Sequence, residues 1–170
     1  MKNILIVDGY NIIGDWPELK ELKEKDLSAA RDRLTEILAE YKGYTGYEVI
    51  VVFDAYFVKG LERKYKNYKI DVIYTKENET ADERIEKLAI ELSNIKTQVH
   101  VATSDFTEQW AIFGQGALRK SARELLNECR HISGEVEKHV KVQIESKPSS
   151  KIQLPDEIAE KFEKWRRGQF

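Results

Sequence analysis

Short unbroken apolar runs alternate along this chain with segments of helical spacing. Ile4-Leu5-Ile6-Val7, Val49-Ile50-Val51-Val52-Phe53 and the run from Gln98 to Thr103 lack the polar alternation of a half-solvated strand. That is the habit of strands buried on both faces of a parallel sheet. Ile70-Asp71-Val72-Ile73-Tyr74 reads as a further strand. Leu27, Ala30, Leu34, Ile37, Leu38 and Tyr41 recur at helical spacing and predict a long helix that stops near Gly43 and Gly46. Ala81, Ile85, Leu88, Ala89, Leu92 and Ile95 predict a second helix. Leu118, Ala122, Leu125, Leu126, Cys129 and Ile132 predict a third, running through Gly134 toward Glu145. Within that stretch, the alternation of Val140-Lys141-Val142-Gln143-Ile144 fits an edge strand as well as a helix.

Gly9 to Pro17 reads as a loop leading into a short helical piece that ends at Lys25, and Asp105 to Phe113 as a short helix. Ser146 to Gln153 is polar and reads as a linker, after which Pro155 opens a last helix burying Ile158, Ala159, Phe162 and Trp165. This order of elements predicts a three-layer α/β/α sandwich with a mainly parallel central sheet and right-handed crossovers. Residues 1–145 are expected to form the domain, and residues 146–170 a linker and a C-terminal helix packing on it.

Composition narrows the partners. The 170 residues suit one domain, and 28 basic against 30 acidic side chains leave no global field to draw the protein onto nucleic acid or a membrane. Any polyanion must therefore meet a local patch. No apolar stretch approaches the roughly 20 residues of a membrane span, and the N-terminus enters a strand with no signal-peptide core. Cys129 is the sole cysteine, which excludes a disulfide framework and a cysteine zinc site. A cytoplasmic protein is expected.

The candidate chemistry lies in acids at the ends of these elements. Asp8 closes the first strand, Asp54 the second, and Asp105 follows Thr103-Ser104 at the end of the fourth, while Asp82 lies in Glu79-Thr80-Ala81-Asp82-Glu83 at a helix start. Strand ends of a parallel sheet face one crevice, where ligands bind. Four carboxylates gathered there repel one another unless a cation neutralises them. One or two oxygen-ligated Mg2+ or Mn2+ ions would do so, polarising a phosphodiester and activating water for in-line attack. Gly9 permits a tight turn after Asp8, and Asn11 is placed to orient a phosphate or a water. Thr103 and Ser104 supply hydroxyls beside Asp105.

Structural explanations compete. Asp8 could merely begin a turn. Thr80 and Glu83 match a capping box, as do Asp105 and Glu108, and an acid in a first turn suits the helix dipole. Glu79, just before the cap, exceeds what a helix start needs. His100, His131 and His139 are too scattered for a zinc pair and read as structural or surface residues.

A second informative stretch carries Lys59, Arg63, Lys64, Lys66 and Lys69 interleaved with Tyr65 and Tyr68, with Tyr56 and Phe57 before them. Cations for phosphates and rings for bases suit single-stranded nucleic acid; the alternative is a solvated hairpin whose tyrosines pack on the body. Gly114 to Arg123 offers a second phosphate-binding candidate through its glycines, a helix start, Arg119 and Arg123, without the Lys-Ser/Thr ending of a P-loop. A structural role for its helical stripe fits equally. Trp165-Arg166-Arg167 is a weak third patch.

Ile6-Val7-Asp8-Gly9-Tyr10-Asn11, Val52-Phe53-Asp54-Ala55, Glu79-Thr80-Ala81-Asp82-Glu83, Thr103-Ser104-Asp105 and Gly116-Ala117-Leu118-Arg119-Lys120-Ser121 together resemble the motifs of the YacP-like NYN-domain ribonucleases. The resemblance covers residues 1–145, and the ordered set is far more specific than any one motif. It implies a PIN-like fold and metal-dependent endonucleolytic RNA cleavage, with Asp8, Asp82 and Asp105 as metal-binding catalytic acids. By the same resemblance, Asp54 and Glu79 support the site and Asn11 lies near the substrate. It further implies action on messenger RNA in the ribosomal A site, with the ribosome as partner. Two other classes stay open on the residues alone. One is a non-catalytic RNA- or ribosome-binding module using the basic loop. The other is a small phosphate-ester hydrolase, which Asp8-Gly9-Tyr10 disfavours because no second acid follows two residues on.

Overall fold

A computed structural model describes residues 1–55, 70–104, 113 and 116–152, with side chains to residue 141. Chain contacts divide it into two compact units, Met1–Arg130 and His131–Phe170. The first unit holds a five-stranded sheet in the order β3-β2-β1-β4-β5, every pairing parallel. Its strands are β1 (Lys2–Asp8), β2 (Glu48–Phe53), β3 (Asp71–Tyr74), β4 (Thr97–Thr103) and β5 (Leu118–Ser121). The helices are α1 (Gly9–Asp15), α2 (Pro17–Lys25), α3 (Leu27–Thr45), α4 (Ala81–Leu92) and α5 (Ala122–Ile152). The expected α/β sandwich is present.

Burial follows the apolar runs. Ile4, Ile6, Ile50, Val52, Val99 and Val101 point to one face, where Ala81, Ile85, Leu88 and Ala89 of α4 pack on them. Leu5, Val7, Val51 and Phe53 point to the other and are fully buried, with Phe53 against Gly9 and Tyr10 of α1. Alternation along a strand makes this division. α3 starts on Asp26, whose carboxylate accepts from the Ser28 and Ala29 amides, and ends at Gly46, whose φ of 77° is the left-handed cap that glycine adopts at least cost. Trp16, at the elbow between α1 and α2, is buried, and its Nε1 donates to the Ala122 carbonyl at 2.8 Å. That bond ties the first helices to the start of α5.

Several elements differ from the sequence reading. The segment after Asp8 is helix α1, not loop. Leu118 to Ser121 form edge strand β5 rather than a helical stripe, and Leu118 is half exposed there. Ser121 instead caps α5: its Oγ accepts from the Glu124 amide at 3.0 Å and donates to Glu124 Oε1 at 3.2 Å. Ile95 is exposed in the turn before β4. Residues 140–144 are helical, and α5 continues through Ile152, across most of the expected linker. The expected C-terminal helix beyond Pro155 lies outside the described residues, as does the helix expected from Asp105 apart from Phe113. Among the described residues no helix is long and apolar enough to cross a membrane.

A polar network lies on the sheet's other half. His100 Nε2 meets Asn3 Oδ1 at 3.1 Å, and its ring stacks on Tyr47, which meets Tyr41 edge-on. Tyr41 donates to Glu128 Oε2 at 3.2 Å, and Lys120 pairs with the other oxygen of that carboxylate. Burial beside Glu128 raises the Tyr41 phenol, and burial pushes the neighbouring Cys129 thiol up to about 12, so this cysteine is inert at neutral pH. His100 is held below its ordinary 6.5 by burial and by Lys120, with Glu128 opposing. The fold therefore favours neutral imidazole, and the unfolded chain takes the proton first. The His100 contribution to stability is complete above pH 6.5 and falls as the pH drops from there toward the lower folded value. Unfolding in urea between about pH 7 and about pH 5 should show a loss of stability that His100→Gln makes shallower.

Candidate active site at the carboxyl edge of the sheet

From β1 the chain steps to β2 and β3 on one side, then returns to β4 and β5 on the other. The crevice of such a sheet opens where the order reverses, between β1 and β4. Asp8 is the last residue of β1, opposite Val52 of β2, and Val7 pairs with Ala102 of β4. Thr103 therefore stands beside Asp8. Alternation sends Asp8 to the face of Ile4 and Ile6, the face that carries α4. Ala81 packs into that core, so Asp82, the next residue, stands at the end of α4 that meets this edge.

The competing explanations now separate. Asp8 is 7% exposed and occupies the N-cap position of α1, yet its side chain makes no cap hydrogen bond to that helix. Helix capping is not what this carboxylate is for. Thr80 does cap α4, its Oγ1 accepting from the Glu83 amide at 3.1 Å, so Asp82 is not needed for that task. Glu79 has local work: Oε1 accepts from the Lys76 amide at 3.4 Å and lies 3.6 Å from Arg84 Nη1. It braces the turn into α4, which suits a supporting role. Asp54 is half-buried at the exit of β2, with its neighbours fixed: the Thr75 amide donates to Phe53 O at 3.0 Å and the Ala55 amide to Thr75 Oγ1 at 2.9 Å.

Asn11, on the first turn of α1, reaches across to β4. Its Oδ1 accepts from Thr103 Oγ1 at 3.2 Å and from both the amide and the hydroxyl of Ser104. Asp105 follows Ser104 in the chain but lies outside the described residues, as do Lys59, Arg63, Lys64, Tyr65, Lys66, Tyr68 and Lys69. Among the described residues no group of three or more acids, histidines or cysteines lies close enough to hold a metal ion. The structure thus brings Asp8, Asn11, Thr103 and Ser104 together, sets Asp82 at the same edge, and leaves the third expected ligand undescribed. Asp8 and Asp82 are hard oxygen donors of the kind Mg2+ and Mn2+ take. Arg119 and Arg123 are exposed, on β5 and on the first turn of α5. The Ser121–Glu124 box occupies that helix start, so the phosphate site expected there is capped by the protein's own side chains.

Two residues near the site carry no sequence motif. Arg31 of α3 is 3% exposed and donates from Nη1 to Tyr10 OH at 3.0 Å. Thr75 is 2% exposed and fixes the exit of β2, as described above. A charge inside the stripe of Ala30, Leu34 and Leu38 was a signal for Arg31; Thr75 had none.

These features define a PIN-like α/β domain with an acid at its ligand-binding edge. The chain belongs to the YacP-like NYN domain family, whose model matches residues 5–167 and so takes in the tail beyond Ser146. It is 63% identical over 166 residues to "Uncharacterized protein YacP" of Bacillus subtilis (strain 168), covering 98% of each chain. The crystal structure of Rae1 (YacP) from Bacillus subtilis matches with a TM-score of 0.78 at 63% identity, over 97% of this chain and 95% of that one. A tryptophan-to-leucine variant of that protein matches with a TM-score of 0.74 at 58% identity, over 99% and 96%. Membership carries a nuclease-type, RNA-related function.

The turn after Asp8 depends on close packing. A Cβ at Gly9 would lie 2.3 Å from Phe53 Cε1, and Phe53 is fully buried, with its ring packed against Tyr10 and Tyr74. Gly9→Ala should destabilise the fold by about 1–3 kcal/mol, the usual cost of overpacking. Phe53→Leu in the same chain should recover part of that loss. Urea unfolding of the two single variants and the double variant measures the coupling.

Proposed function

We propose that this protein is a divalent-metal-dependent endoribonuclease that cuts messenger RNA in the ribosomal A site. One observation carries the reading: Asp8 is a buried carboxylate at the end of the central strand, beside the switch point of the sheet, and it does not cap the helix it precedes. Asp82 of α4 stands at the same edge, and carboxylates gathered at one edge are the setting in which a cation offsets their mutual repulsion. Mg2+ or Mn2+ bound there supplies charge neutralisation and Lewis acidity toward a phosphodiester.

Asp8 and Asp82 would hold the ion from β1 and α4, and the motif resemblance assigns Asp105 as the third ligand. Asp54 and Glu79 stabilise the loops around them. The basic, tyrosine-rich segment from Lys59 to Lys69 leaves the β2 edge in sequence and steers RNA or docks on ribosomal RNA. Likeness to Rae1 (YacP) and membership of the NYN family support the nuclease-type, RNA-related part of the reading; messenger RNA as substrate and the ribosome as the surface that presents it come from the motif resemblance.

Asp8→Asn keeps the size and shape of the side chain and removes its charge. In a reconstituted translation system this variant should cut a translated messenger at least about 100-fold more slowly than wild type, with its urea unfolding midpoint unchanged or raised. Binding of Mn2+ to the isolated protein, followed by electron paramagnetic resonance, should weaken in parallel. Undiminished cleavage by the variant would sink the catalytic assignment. Ribosome binding without any cutting by wild type would select the non-catalytic module instead.

A further inference from the structure

Among the described residues, Arg84 Nε is the only buried side-chain nitrogen or oxygen without a hydrogen-bond partner. A buried polar group left unpaired is rare enough in folded proteins to call for a reason. Arg84 lies on α4, two residues beyond Asp82. Helical side chains lean toward the helix N-terminus. Arg84 does so, and its Nη1 reaches back past the Thr80 cap to Glu79 Oε1. The guanidinium therefore stands over the first turn of α4, at the end of the helix that carries Asp82 to the carboxyl edge.

A purely structural role accounts poorly for this pose. Nη1 and Oε1 are 3.6 Å apart, beyond hydrogen-bond length, so the pair is a loose one. Loose, partly exposed ion pairs contribute little, whereas a buried N–H without an acceptor is costly. The second effect is the larger, so the Arg84 head group does not sit there for the stability of the resting fold. Glu79 holds its turn without Arg84, since the Lys76 amide donates to the same carboxylate oxygen. Arginine's planar fork of donors matches two oxygens of a phosphate. Nε belongs to one edge of that fork and is unused in this pose. The side chain is 26% exposed, so a ligand at the edge can reach it.

We propose that Arg84 is a substrate-binding residue, which takes a backbone phosphate of single-stranded RNA beside the acids and is held by Glu79 until the RNA arrives. The proposal deepens the nuclease reading and rests on it for the identity of the ligand. A turn of the guanidinium away from Glu79 exchanges a loose contact for paired, charge-assisted bonds and gives Nε an acceptor. It also brings positive charge to a strand whose phosphates must approach an edge of carboxylates.

Binding of a short fluorescein-labelled single-stranded RNA, measured by anisotropy with a chelator present so that no cutting occurs, tests the contact. Arg84→Met keeps the apolar stem and removes the charged fork. It should bind about tenfold more weakly than wild type at low salt, and the slope of log affinity against log salt should fall by about 0.7, the share of one phosphate on a single strand. Arg84→Lys should keep the wild-type slope and recover only part of the affinity. Glu79→Gln still accepts from the Lys76 amide but releases Arg84, so it should bind RNA at least as tightly as wild type. The double variant should fall within about twofold of Arg84→Met alone. A merely structural pair predicts the opposite, with Arg84→Met and Glu79→Gln weakening binding together and lowering the urea midpoint together. That result, loss of the fold in Arg84→Met, or wild-type affinity and slope in that variant would overturn the proposal, as would no RNA binding by wild type at low salt. Asp8→Asn judges the nuclease reading separately, through cleavage. RNA binding that depends on Arg84 in a protein that does not cut would end the nuclease reading and leave the contact standing.

Discussion

The carboxyl edge depends on the confinement of β1. This strand has β2 on one side and β4 on the other, with helices over both faces, and Leu5, Ile6 and Val7 are wholly removed from water. A slip of one residue against its neighbours would turn every one of these side chains to the opposite layer and carry Asp8 away from the face of α4. Burial at this density makes such a slip very costly, and so fixes the carboxylate in position and direction. Chemistry at the edge inherits its accuracy from apolar packing several residues away.

The approach of helix α1 to β2 adds a second constraint. Gly9 lets the backbone rest on the Phe53 ring, and Tyr10 and Tyr74 both pack against that ring. Arg31, buried in α3, bonds the Tyr10 hydroxyl. Buried charge rarely adds stability over an apolar side chain, so its presence in the layer beneath the site points to a need for fixed geometry there. On the other side of the sheet's midline, the His100–Tyr47–Tyr41–Glu128 network has a different character, shielded and polar, and it braces β4 and β5 against α3 and α5.

The central strands were legible because their runs are apolar without interruption, and α3 because Asp26 and Gly46 mark its ends. β5 was not. Leu118-Arg119-Lys120-Ser121 has too few apolar positions to show a period, since an edge strand half open to solvent needs none. Leu118 also happens to fall at helical spacing from Ala122 and Leu125, which pulled it into the wrong element. α1 escaped because Gly9 and Asn11 favour turns by propensity, and the burial of Ile12 and Ile13 overrides that preference. Asp8 could be read from its place after an apolar run. The capping of α5 by Ser121 could not, because its Ser-x-x-Glu pattern came into view only once the helix start was known.

The topology also bears on the order in which the protein matures during synthesis. β2 can join β1 once residue 53 has emerged, but the partner on the other flank ends at residue 103, and Trp16 must wait for Ala122. Long-range parallel pairing of this kind forms late compared with local helices. Until β4 arrives, the wall of the crevice opposite Asp8 does not exist. A nascent chain is therefore incompetent through most of its translation, and the geometry at the first strand is completed only by residues made long after it.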